Sequence, residues 1–386
     1  IDQLDRFINI LKIKTFNNFS SSLKEEWIEL QKRSNYEPFQ NYEWLENWYN
    51  LIGLPLLSIK PYIILIILDN RLVSIFPLCI RNDKTIRKLE WMGGDQADYM
   101  GPIIDKNYNI NNDFSNIWEK CNQALPRYDF MLLNNQKENL FNVNNPFVSN
   151  FNNFKSLKAY KSILHNDWES FYEKHANSKS RQTDRRKIRK LNNIGTLQFK
   201  VGKTKFEKKE IINNMIILKR KRYLETNNID WLSIENYQNF YINLPSLDLD
   251  TAELHCSCLL LDKKILACHV GVIQNETFYL LMISHESEDF RSFSPGRLFM
   301  LELINHSFKK GLKFFDFTIG EENYKKSWSD EESIIYSSFK SITILGKLFQ
   351  SFFIIKKNIM KNKIIAPKLK VLKKFFINKF VQRKKD

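Results

Sequence analysis

Cysteine, glycine and long apolar runs are all scarce in this chain, and each scarcity excludes something. Five cysteines, Cys79, Cys121, Cys256, Cys258 and Cys268, are an odd and sparse set for 386 residues. They fit a reducing compartment better than a disulfide framework. The longest uninterrupted apolar run is Tyr62–Leu68, far short of the roughly 18–20 residues that span a bilayer, so no transmembrane helix is expected. No HExxH, GxSxG or Walker pattern occurs, which disfavours zinc-protease, serine-hydrolase and P-loop chemistry. The first residue is Ile1 rather than Met, so the question of a leader stays open.

Apolar residues make up 43% and aromatics 14%, ample for packed cores and unlike disordered or low-complexity chains. The length suits two domains of roughly 150–200 residues. The net charge of +16 is uneven: residues 340–386 hold fourteen Lys/Arg against the single acid Asp386. The body is nearly neutral, unlike a uniformly basic nucleic-acid binder, and the tail is a basic appendage. Three parts are expected: 1–160, 161–340 and a tail over 341–386.

Residues 36–53 place aromatic positions at helical spacing and stop at Gly53. Strand-like runs follow at Tyr62–Leu68, Leu72–Ile80 and Arg87–Met92, then the loop Asp95–Asp105, a helix near 113–124 and a strand at Asp129–Leu133. The Asn-rich stretch 134–154 reads as turns. A second unit opens with the basic helix Lys179–Leu191 and another helix over about 207–225. The clearest signal is a three-strand meander, Ala252–Leu261, Ile265–Ile273 and Thr277–His285, followed by a loop, a helix of about 297–310 and the strand Lys313–Thr318. This order describes an α/β (α+β) unit with a mixed, largely antiparallel sheet, not a doubly wound fold.

Within it, Arg291-Ser-Phe-Ser294-Pro295-Gly296 runs straight into a helix. A strand feeding a tight loop into a helix N-terminus makes an anion site, because unpaired amides converge there and the helix dipole is positive. The alternative is a helix cap whose glycine serves geometry alone. The pattern resembles the pyrophosphate loop of GNAT acyltransferases, Arg/Gln-x-x-Gly-x-Gly/Ala, with Ser294 in place of the first glycine. Together with the aromatic helix around Pro38–Trp48, Asp98-Tyr99, the basic helix after Ser178, and Asp316-x-x-x-Gly320-x-x-x-Tyr324-Lys325 with Trp328, the chain resembles CelD-type, Fem-related bacterial proteins built from two GNAT-like units. The likeness covers about 36–340. No comparable loop lies between Asp95 and Asp113, so the first unit is expected to be a degenerate repeat.

This resemblance implies an acyl group moved from acetyl-CoA or another acyl-CoA, or from a carrier, to an amine, with no metal involved. Arg291, Ser294, Pro295, Gly296 and Arg297 would hold the donor, its phosphates on the backbone of 292–297. Tyr324 would protonate the leaving thiolate, or be a packed tyrosine. Asp98, Tyr99, Asp316 and Lys325 are candidates for substrate binding. Asp316 lies among Phe314, Phe315 and Phe317 and needs partners there, so a structural anchor is the competing role.

For a general base, a turn centred on Lys263 pairs Cys258 with Cys268 and Ser257 with His269. Alternation then puts Glu253, His255, Ser257 and His269 on one face, suited to a wet acceptor cleft, and the three cysteines on the other. A CxC spacing is poor for zinc, and the cysteines read as core. The basic segments Lys179–Lys190 and Lys219–Arg222 either line a groove for an anionic acceptor, such as a nucleotide-linked sugar or lipid phosphate, or are solvated faces.

The reading is a cytoplasmic acyltransferase acting on a small molecule or on an envelope sugar or polysaccharide precursor, its basic amphipathic tail either lying on the inner membrane face or packing its aromatic side back on the domains. The alternatives are a Fem-type transferase using aminoacyl-tRNA and an inactive GNAT scaffold at the membrane surface.

Overall fold

The computed structural model describes residues 10–351 other than 84, 142 and 166. Most of the expected tail over 341–386 therefore lies outside the described residues. Residues 10–156 with 334–351 form one compact unit, and Leu157–Ser333 the other.

In the first unit the chain runs β1 (Leu11–Phe16), α1 (Ser21–Lys32), α2 (Tyr42–Trp48), β2 (Ile59–Leu68), β3 (Arg71–Asp83), β4 (Ile86–Trp91), the short β5 (Ile103–Asp105), α3 (Phe114–Ala124) and β6 (Phe130–Lys137). The aromatic stretch is helical in three pieces: a 3-10 turn at Pro38–Gln40, then α2, then a π turn at Tyr49–Gly53. It buries Phe39, Tyr42, Trp44 and Trp48. Asp69 and Asn70 both take positive φ, the two-residue turn that joins β2 to β3 without splaying them.

Strand β7 (Asn152–Ile163) carries the chain into the second unit. There follow α4 (Trp168–His175), α5 (Ser178–Asn192), β8 (Leu197–Val201), α6 (Lys205–Glu225), α7 (Glu235–Asn243), β9 (Glu253–Leu261), β10 (Lys264–Gln274), β11 (Thr277–His285), α8 (Pro295–Lys309), β12 (Phe314–Ile319) and α9 (Asn323–Trp328). Strand β13 (Glu331–Ser341) returns to the first unit.

Within the first unit the strands lie in the order β1-β2-β3-β4-β6-β13, and within the second β7-β12-β11-β10-β9-β8. Both sheets are mixed and largely antiparallel, as expected. Each has one parallel pair, β4 with β6 and β11 with β12, and in each the crossover passes through a helix, as parallel neighbours require. The two units thus repeat one plan: a three-strand meander, a loop, a helix and a parallel strand.

In the second unit the first hairpin has the expected register, Cys258 opposite Cys268 and Ser257 opposite His269. The cysteine face lies under α6, which buries Ile211, Ile212, Met215 and Ile216. The histidine face is not a wet cleft. Helix α8 covers it, burying Leu298, Phe299, Leu303 and Ile304, so His255 and His269 are fully buried. Their rings pack with His306 (5.0 Å from His255) and Phe278 (5.0 and 5.2 Å). Among the described residues neither nitrogen of either ring has a hydrogen-bond partner. Burial, reinforced by the neighbouring imidazoles, pushes His255 down to about 2 and His269 to about 3. Glu253, at the strand's start, gives both carboxylate oxygens to Lys310 Nζ (2.9 and 2.7 Å). The assignment of Glu253, His255 and His269 as bases in an acceptor cleft is therefore corrected: two are core and one is a helix-end ion pair.

These buried histidines predict an acid limb of stability. Unfolded, they titrate near 6.5; folded, they stay neutral far below that. Stability is then complete above about pH 6.5 and falls as the pH drops toward the folded values, by up to ~1.4 kcal/mol per pH unit for each histidine. Urea unfolding at pH 7.5 and 5.0 should show this loss, and His255→Leu with His269→Leu should remove most of it. An unchanged pH profile in the double variant would refute the assignment.

Candidate active site

Strands β11 and β12 pair over three positions only, Thr277–Phe314, Phe278–Phe315 and Tyr279–Asp316, and then separate. Two local features open them. A bulge in β11 opposite Val270/Gly271 inserts a residue and bends the strand. Gly271 permits it, since a Cβ there would lie 2.4 Å from the Tyr279 carbonyl oxygen. On the other strand Thr318 takes φ 58°. Its amide donates to Asp316 Oδ1 (2.7 Å) and its hydroxyl to the Leu280 carbonyl (3.1 Å). Asp316, 2% exposed, thus holds the turn that leads β12 away, which is the anchor role rather than substrate binding.

The opening exposes backbone of known direction. Glu286 N donates to Leu266 O (2.8 Å), and antiparallel ladders alternate bonded and non-bonded pairs. With His269 opposite Ile283, the amide and carbonyl of Ile283 point away from β10, into the gap. Buried Ser284 beside it carries a hydroxyl without a partner.

At the far end of β11 the loop makes one 3-10 turn, Arg291–Phe293, and enters α8. Ser294 sits at the N-cap with φ 53°. It keeps the left-handed geometry usually given to glycine, at a cost of roughly 1 kcal/mol. Its hydroxyl accepts from Lys187 Nζ (2.7 Å), a cation on α5. Pro295 is buried at the first helical position, where its missing N–H costs nothing. A Cβ on Gly296 would lie 2.5 Å from the His285 ring, so the glycine is required by close packing. The amides of Phe293, Ser294 and Arg297 are spent on Phe290, Arg291 and Ser294 carbonyls. Among the described residues this leaves those of Ser292 and Gly296 to an anion, fewer than the whole run 292–297. Arg291 is exposed and makes no ion pair among the described residues.

Arg297 is turned elsewhere. Its guanidinium makes bonds of 2.8–3.1 Å to both oxygens of Asp184 and lies 5.3 Å over the Trp328 ring. Asp184 is 2% exposed and also accepts from Tyr172 OH (2.8 Å). The cofactor role expected of Arg297 is therefore corrected: its charge is neutralised in a bidentate pair that ties α5 to α8.

Beyond the gap, Gly320 turns the chain at φ 146°. A side chain there would strike Glu322 Oε2 and Lys325 Nζ (2.1 and 2.6 Å). Lys325 is 6% exposed and donates to the Ile319 carbonyl (2.5 Å), with Glu322 at 3.3 Å. Tyr324 is half-buried, its ring edge-on to Phe317 (6.4 Å). Burial and then the charge of Glu322 raise it well above an ordinary tyrosine, so it stays protonated. From α6, Lys219 reaches the Ile283 carbonyl (3.4 Å). Glu322 escaped the sequence reading, whereas Lys187 and Lys219 lay in charge runs that read either as a groove for an anionic acceptor or as solvated faces.

In the first unit the corresponding gap is filled. Met100 N donates to Asn135 O (2.8 Å) and Asn135 Nδ2 to Ala97 O (2.9 Å), closing the loop onto β6. Tyr99 is buried, its carbonyl held by Gln40 (2.7 Å) and its ring under Lys137 Nζ (3.8 Å). Asp98 is half-buried in the same loop. Helix α3 has Asp113 at its N-cap, a charge of the wrong sign for phosphate.

Residues 178–326 match the family model of the acetyltransferase (GNAT) domain. The second unit is thus a GNAT-type N-acyltransferase domain. No curated protein matches the chain by sequence. Among solved structures the chain is similar to FemX (10% identity, TM-score 0.57, covering 84% of this chain and 96% of that one). It is also similar to a protein of unknown function from Bacteroides thetaiotaomicron VPI-5482 (11%, 0.52, 85% and 99%). A third is the C-terminal domain of a proposed lysylphosphatidylglycerol synthetase from Agrobacterium fabrum (11%, 0.52, 87% and 97%). At these identities the likeness is one of fold. Among the described residues no helix is long and apolar enough to cross a membrane, and no group of His, Cys, Asp or Glu is arranged to hold a metal ion.

Breaking the Asp184–Arg297 pair leaves an uncompensated charge against Trp328. Asp184→Asn should cost about 2–3 kcal/mol in chemical denaturation. A variant as stable as the native chain would show that the pair contributes nothing.

Proposed function

We propose that the second unit transfers an acyl group from acyl-CoA, acetyl-CoA in the simplest case, to an amine. The observation that carries this is the opening of β11 from β12 beside the α8 loop, in a segment matching the GNAT model. The donor's phosphates would meet the Ser292 and Gly296 amides, Lys187, Arg291 and the α8 dipole. Its thioester would lie in the gap, the carbonyl oxygen toward the Ile283 amide. The acceptor nitrogen attacks the carbonyl carbon and the Ile283 amide stabilises the resulting oxyanion. The C–S bond then breaks, Tyr324 supplies a proton to the sulfur, and the nitrogen's extra proton leaves to water.

The acceptor is an amine on an envelope sugar or polysaccharide precursor, met at the inner face of the cytoplasmic membrane of a bacterium. Fold likeness to FemX and to the proposed lysylphosphatidylglycerol synthetase domain supports this by analogy. The substrate roles of Asp98 and Tyr99 and the tail's membrane contact belong to the same proposal. A second reading, use of aminoacyl-tRNA, is favoured by the exposed row Arg185, Arg186, Arg189 and Lys190 on α5. It requires tight, salt-sensitive tRNA binding.

Calorimetric titration with acetyl-CoA should show binding to the native chain and none to Gly296→Trp, whose indole would invade the loop. Tyr324→Phe should retain acetyl-CoA affinity and lose on the order of 100-fold in kcat with an active amine. No acyl-CoA binding to the native chain would sink the reading.

A further inference from the structure

Two lysines reach the gap, Lys219 from α6 toward β11 and Lys325 from α9 toward the end of β12. Lys219 Nζ lies 3.4 Å from the Ile283 carbonyl, the one turned into the gap, and Lys325 Nζ lies 2.5 Å from the Ile319 carbonyl at the end of β12. Desolvation lowers the affinity of Lys219 for its proton, Lys325 and Arg222 add repulsion, and Glu322 opposes them. The neighbouring cations on α6 are all paired: Arg220 with Asp230, Lys221 with Glu286 and Glu288, Arg222 with Glu225. Lys219 alone of the four makes no ion pair among the described residues. Its ammonium has three donors, and a single long bond to a carbonyl uses one of them. Glu322 is the carboxylate bonded to Lys325, at 3.3 Å, and it is more than half exposed. A partly buried ammonium and a buried one, against one solvated carboxylate, leave this side of the gap positive.

We propose that Lys219 and Lys325 clamp an anionic group of the acceptor, so that the substrate class is an amine carrying a carboxylate or a phosphate. This rests on the acyl-transfer reading of the same site. The donor's phosphates have their own place at the α8 loop, so the clamp does not duplicate it. An anion bridging the two ammoniums supplies the charge that Lys219 lacks and orients the amine along the gap toward the thioester. Lys219 acts here as a positioning residue.

The test is calorimetry on the full chain with two matched pairs, glycine against glycinamide and phosphoethanolamine against ethanolamine, with and without saturating acetyl-CoA. The anionic member of at least one pair should bind about tenfold more tightly or better. The pair that responds tells carboxylate from phosphate. Lys219→Met should abolish the preference and Lys219→Arg should keep most of it, both variants retaining native acetyl-CoA affinity within about twofold and a native thermal midpoint. Equal binding of charged and neutral members, no binding of either, or a preference that survives Lys219→Met overturns the clamp. Failure of acetyl-CoA to bind overturns the donor reading instead, and the arm without acetyl-CoA still decides the clamp.

Discussion

The ladder between β11 and β12 ends after Tyr279 and Asp316, and the site is built from what the two strands do next. Parallel neighbours normally continue to share hydrogen bonds along their length. Here the bulge opposite Gly271 bends one strand, and the Asp316–Thr318 turn draws the other aside. The divergence leaves the amide and carbonyl of Ile283 outside the ladder. The cost is visible in nearby strain, with left-handed φ at Thr318 and Ser294. It is offset by the packing of Phe278 on Phe315 (4.9 Å, nearly parallel) just before the divergence. Strain over-determined by a rigid aromatic stack is how a fold keeps such a gap open.

The repeat makes the electrostatic logic plain. Both units use a meander, a helix and a parallel strand, so topology alone would allow a donor site in each. In the first, the loop is hydrogen-bonded onto β6 and Asp113 faces the helix N-terminus. In the second, Ser294 caps the helix and Lys187 reaches it. One plan therefore yields a loop closed onto its strand in one copy and a parted strand pair with a lysine at the helix N-terminus in the other, through a handful of side chains.

Much of this was legible in the sequence. The meander, its turns and its register followed from alternation and from Asp262-Lys263 and Asn275-Glu276, because strand periodicity and turn chemistry are local. The loop before α8 was legible for the same reason. The environment of a face was not. Alternation placed Ser257, His255 and His269 together, but only the tertiary path of α8 makes that face dry, and nothing local in α8 announces which sheet face it covers. Arg297 illustrates the same limit: its position in the loop motif was evident, while its partner Asp184 lies far away in sequence within a basic run. Lys219 is the reverse case, a residue within a run of charges whose neighbours Arg220 and Lys221 are paired off by acids outside the helix, Asp230, Glu286 and Glu288.

Strand β13 has a consequence for the life of the chain before it is finished. It completes the first unit's sheet beside β6, where Gln136 bonds Ser338 across 202 residues of sequence. A ribosome adding 5–20 residues per second takes roughly 10–40 s to cover that distance. Throughout that interval β6 has one open edge, with amides and carbonyls unpaired, and such edges invite pairing with other chains. The second unit faces a similar delay, because β7 pairs with β12 across about 160 residues of sequence, Ala159 opposite Ile319. The two units thus close in turn, the second on β12 and the first on β13, which follows it after α9.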